Sequence, residues 1–125
     1  MVVDTSALIA IMLEEPEARA FELKIASEPG PIIAHGNAVE FGTLMRKRFY
    51  QDLPEFAATY LASLGIEIWS ASPGQATLAI EAGYRHRILN FGDTFAYALA
   101  KDLDLPLLFK GKDFSKTDIR PALES

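Results

Sequence analysis

The sequence contains no cysteine, which removes disulfides, thiolate zinc sites and a cysteine nucleophile together. It also lacks a long apolar run. The longest uncharged apolar stretch, Thr5 to Leu13, falls far short of the roughly 20 residues that span a bilayer. Asp4 stands where an export signal would carry basic residues, and Glu14 and Glu15 close the stretch early. A cytoplasmic protein with no membrane contact is the expectation. Positive charge is short as well: 12 Lys and Arg against 17 Asp and Glu leave a formal net charge of −5. That balance argues against a protein that holds nucleic acid mainly through a general positive field. Repeats, low-complexity tracts and linkers rich in Pro, Gly or Ser are missing too, and only the last few residues look loose.

What remains is globular. With 125 residues, 50% of them hydrophobic and 23% charged, the chain suits one domain over residues 1–125 with a core of its own. Met1-Val2-Val3-Asp4 is a brief β-branched run ending at an acid, and a helix follows from Ser6 to Glu15. A second helix is expected from Glu17 to about Ala26, stopped by Pro29-Gly30-Pro31. Ile32-Ile33-Ala34 reads as a strand, and 37–50 as a helix with Ala38, Phe41, Met45 and Phe49 on one stripe. Asp52 and Pro54 open a helix through Leu64, ended by Gly65. A strand over 66–69, helices over 73–86 and 91–102, an apolar strand over 105–109 and a polar loop over 110–116 complete the pattern. Alternating strands and helices with apolar strands predict an α/β fold, a three-layer α/β/α sandwich around a central parallel sheet.

In such sheets the reactive crevice lies beyond the carboxyl ends of the strands. Asp4 and Asp113 fall at or just after strand ends, while Glu40 and Asp93 are expected in the first turns of helices. Carboxylates without His or Cys partners are the ligand set a hard cation such as Mg²⁺ prefers. Two such ions can activate a water and steady the leaving oxygen of a phosphodiester. Each acid also has an ordinary structural explanation. Asp4 can cap the first helix, Asn37 with Glu40 and Asn90 with Asp93 have capping-box spacing, and Asp113 can be a turn residue. Basic clusters at 46–48, at 85–87 and at Lys110, Lys112 and Lys116 are taken as ordinary solvated surface.

Four segments in order change that balance. Met1 to Leu8, Asn37-Ala38-Val39-Glu40, Asn90 to Ala100, and Leu107 to Phe114 followed by Thr117-Asp118-Ile119 together resemble the PIN-domain family, its VapC-type toxins in particular, across essentially the whole chain. The resemblance implies a metal-dependent endoribonuclease, the toxin of a VapBC-like toxin–antitoxin pair, that hydrolyses RNA with Mg²⁺ or Mn²⁺. By this resemblance Asp4, Glu40, Asp93 and Asp113 are the catalytic and metal-binding acids. Asp118 is implied as an outer ligand, and Thr5 or Ser6 as the group that steadies Asp4. A VapB-like antitoxin and a homodimer are implied as partners, and the apolar-rich helices around 41–49 and 56–64 are candidate dimer faces. The chain departs from the family pattern at Ala34, His35 and Thr94, and His35, expected close to the crevice, is assigned no role.

Other families fit less well. A haloacid-dehalogenase-like phosphatase needs a second acid where Ser6 stands, and a response-regulator receiver needs an acidic pair where Asp4 is single. The alternative closest to hand is a catalytically silent PIN fold that binds RNA or protein without cutting.

Overall fold

The computed structural model describes residues 1–123. The last two residues, and the expectation of a loose C-terminus, lie outside the described residues. Four parallel strands, β1 (Val2–Val3), β2 (Ile32–Ala34), β3 (Glu67–Trp69) and β4 (Leu107–Leu108), form a sheet in the order β3-β2-β1-β4. Register pairs Val2 with Ile32 and with Leu107. Six helices surround the sheet: α1 (Thr5–Met12), α2 (Ala18–Ser27), α3 (His35–Arg48), α4 (Phe56–Ser63), α5 (Pro73–Arg85) and α6 (Phe91–Leu103). None is long and apolar enough to cross a membrane.

The period of two in the strands divides the core into layers. Val3, Ile33 and Leu108 face a cluster built with Leu8, Phe41 and Leu61 from α1, α3 and α4. Val2, Ile32 and Leu107 face the other way, onto Ala96, Leu99 and Ala100 of α6. Phe41, Leu8 and Leu99 are essentially buried, and side chains of this kind each contribute about 1.5–3 kcal/mol. Only β3, at the sheet edge, is exposed along its length.

Several expectations move by a residue or two. Helix α1 ends at Met12 instead of Glu15, and α2 begins at Ala18. Helix α3 begins at His35, directly after β2, so Asn37 lies inside it and Ala34 holds the N-cap position without a side-chain bond. The Asn37–Glu40 capping box therefore does not form, and Glu40 sits in the second turn. The apolar sides of α3 and α4 are core, since Phe41, Met45 and Leu61 are buried.

Candidate active site

Asp4 follows β1 and caps α1. Its backbone N–H donates to the Leu108 carbonyl (2.9 Å), tying it to β4, and its Oδ2 accepts the Ser6 N–H (3.0 Å). Its Oδ1 is buried with no hydrogen-bond partner. The residue is only 2% exposed, and burial pushes its carboxyl from the usual 3.8 up to about 7, with Asp93 and Glu40 adding repulsion against the Ser6 bonds. Ser6 also accepts the Lys110 N–H on its hydroxyl (2.9 Å), so it braces both walls of the site. Thr5 turns elsewhere: its hydroxyl donates to the Asn37 carbonyl (3.3 Å).

Glu40 is aimed by Asn37, a fully buried residue. Asn37 Nδ2 donates to Glu40 Oε1 (3.3 Å) and to the Gly92 carbonyl (2.8 Å), fastening α3 to the start of α6. The approach to position 92 is close: a Cβ there would lie 2.1 Å from Glu40 Oε2, so any side chain at 92 would displace the Glu40 carboxylate. The sequence pattern pointed to Asn37 as a cap, and nothing local marked it as a clamp.

Asp93 belongs to a complete capping box at the start of α6. Its Oδ2 accepts the Asn90 N–H (3.0 Å), and Asn90 Oδ1 accepts the Asp93 N–H (2.9 Å). Cap and candidate site residue can thus be one and the same, since the box occupies a single carboxylate oxygen. Burial, then repulsion from Asp113 and Glu40, raises the Asp93 pKa against the Asn90 bond.

Asp4, Glu40 and Asp93 line one cleft of about 450 Å³, with Ser6, Leu44, Arg48 and Lys110 also on its walls. Asp113 is exposed at the cap of a 3-10 turn, Phe114–Lys116. It reaches Asp93 through charge alone and does not line the cleft. Asp118 is engaged elsewhere: Tyr97 donates its hydroxyl (2.7 Å) and Lys101 Nζ lies at 2.6 Å, and these bonds hold its carboxyl down at about 2. It is a strut between α6 and the C-terminal segment. His35 opens onto a different groove, against Pro54 and Ala57.

Among the described residues no three acidic or histidine side chains form a ready cage for an ion. The donor set nevertheless fits a hard divalent cation. It consists of oxygens, one of them a buried, unpartnered carboxylate oxygen of Asp4, and a cation that keeps part of its water shell needs no closed protein cage.

The PIN domain family matches residues 1–120. Ribonuclease VapC42 of Mycobacterium tuberculosis is 36% identical over 130 residues, covering 98% of each chain. In fold the chain is similar to the crystal structure of M. tuberculosis VapC20, described as a sarcin-ricin loop cleaving toxin. The TM-score is 0.75 at 21% identity, over 96% of this chain and 98% of that one. It is also similar to a chain of a toxin–antitoxin complex from Klebsiella pneumoniae, with TM-score 0.71 and 21% identity over 94% and 92% of the two chains. A family match along nearly the full length, a relative this close, and acids facing one cleft lead to a single assignment: the chain belongs to the PIN-domain family, among its VapC ribonucleases.

Proposed function

We propose that this protein is the toxin of a VapBC-like pair and hydrolyses RNA phosphodiester bonds at the cleft between β1, α3 and α6. Asp4, Glu40 and Asp93 would hold Mg²⁺ or Mn²⁺, and Asp113 would act from the rim. The observation that carries this reading is the buried, unpartnered Asp4 oxygen in a cleft it shares with Glu40 and Asp93.

When bound, divalent ions neutralise the acids, activate a water and stabilise the leaving oxygen. The chain's own residues prepare the place for them. Ser6 orients Asp4, Asn37 orients Glu40, and the capping box orients Asp93, so each carboxylate has a fixed neighbour. Without a cation Asp4 keeps its proton to about pH 7, so binding of an ion releases that proton.

An antitoxin partner is supported by the similarity to a fold seen in a toxin–antitoxin complex. Its basic side chains could pair with the acids in place of the ion. A homodimer suits the groove between α5 and α6, where Ile80, Tyr84 and Phe91 are 63%, 79% and 80% exposed. Exposed apolar side chains gathered in one place favour association.

Cleavage of a structured RNA by partner-free protein is the direct test. Activity is expected with Mg²⁺ or Mn²⁺, and a loss of at least about 100-fold with EDTA or in Asp93→Asn, more than the loss of an outer-shell partner usually costs. Undiminished cleavage in EDTA would remove the metal reading.

A further inference from the structure

The stripe that carries Glu40 along α3 continues past the acids. Glu40, Leu44 and Arg48 follow one another at intervals of four residues and all line the acid cleft, as neighbours on one helix face do. Over eight residues the helix advances about 12 Å, so Arg48 stands well outside the acid cluster. Arg46 and Lys47 share its last turn but line no part of this cleft.

Arg48 also differs from the cleft's second cation. Lys110 Nζ is paired with Glu15 and lies 3.4 Å from Glu17, so its charge is already offset within the protein. Arg48 is exposed and makes no ion pair among the described residues. A guanidinium presents a planar fork of donors and has no acceptor to satisfy, a geometry suited to phosphate. In a chain of net charge −5, whose cleft also holds Asp4, Glu15, Glu40 and Asp93, an uncommitted cation at the cleft's end is where a polyanion can be held.

We propose that Arg48 is a positioning residue that binds a backbone phosphate flanking the scissile one and so fixes how the RNA strand enters the cleft. This rests on the ribonuclease reading above. The contact is the same in the ground and transition states, so it acts on KM and leaves kcat alone. It carries no base information.

The test compares wild type, Arg48→Ala, Arg48→Lys and Lys47→Ala, by cleavage of a single-stranded RNA with Mn²⁺ and by its anisotropy-measured affinity for each protein in EDTA. For Arg48→Ala, KM and Kd should rise about tenfold with kcat within twofold. The slope of log affinity against log salt should become shallower by about 0.7, one phosphate contact on a single strand. Arg48→Lys should recover part of the affinity, and Lys47→Ala should stay within twofold of wild type. Equal, small effects at 47 and 48, a fall in kcat at unchanged Kd, or weakened binding of the antitoxin alone would each overturn the proposal. Wild type that binds the RNA but never cuts it would instead sink the ribonuclease reading, while the affinity series would still decide the role of Arg48.

Discussion

The acid cleft and the apolar groove between α5 and α6 are neighbours that share Asn90, yet they are built on opposite rules. The groove is the larger, at about 660 Å³ against 450 Å³, and is walled by Ala76, Ala79, Ile80, Tyr84, Leu89 and Phe91 among others. Its exposed rings cost free energy in water that any apolar covering surface recovers. The cleft is smaller and carries like charges that resist one another, a cost that a cation, a basic partner or a bound proton removes. Size therefore points away from the proposed chemistry here. What identifies the cleft is unsatisfied electrostatics, and what identifies the groove is unsatisfied apolar surface.

The sharpest way to break this contrast is to remove the electrostatic cost. The folded-state pKa of Asp4, about 7, lies above its usual 3.8, so the folded protein holds a proton that the unfolded chain releases. Stability from this group is therefore greatest below pH 3.8 and declines as pH rises to about 7. The decline is on the order of 4 kcal/mol in metal-free protein. Asp4→Asn carries no charge at any pH, so its stability relative to wild type should climb between pH 5 and 8 in EDTA. Millimolar Mn²⁺ should raise the melting temperature of wild type at pH 8 and leave the variant unmoved. Parallel melting curves for the two proteins across that pH range would mean that Asp4 is not held protonated.

The groove is broken by a charge. Tyr84→Asp, at an exposed ring, should weaken self-association by about 2 kcal/mol or more, roughly 30-fold by sedimentation. A monomer at all concentrations in the wild type would refute the proposed dimer outright. Closer to the boundary between the two regions, Gly92→Ala should push Glu40 aside and lower cleavage about tenfold, the scale of losing an orienting partner. A circular dichroism spectrum like wild type would show that the fold survived. Full activity in this variant would show that the position of Glu40 is not needed.

Much of the fold was legible in the chain. Val2-Val3, Ile32-Ile33 and Leu107-Leu108 are short apolar runs that belong on buried strands, and Pro73 and Gly65 stand at helix ends as expected, Gly65 with φ of +73°. The candidate site was legible in part. Asp4 and Asp93 follow from their places after a strand and at a helix start, whereas Glu40 was expected a turn too early. Asn37 was misread because residues three apart look alike at a cap and inside a helix, and only the chain's direct passage from β2 into α3 decides between them. Arg48 was lost in a run of three basic residues, since sequence alone does not tell which of them faces the cleft.

The order of hydrophobic and polar residues by itself determined the alternation of strands and helices, because burial of apolar side chains at periods of two and 3.6 depends on local spacing. Only the tertiary structure decided that Asp4, Glu40 and Asp93 share one cleft, that Asp118 joins Lys101 instead, and that of the two cations lining the cleft Arg48 is, among the described residues, the one without an ion pair. Charge interactions act through space between segments far apart in the chain, so their partners are fixed only when the sheet brings those segments together.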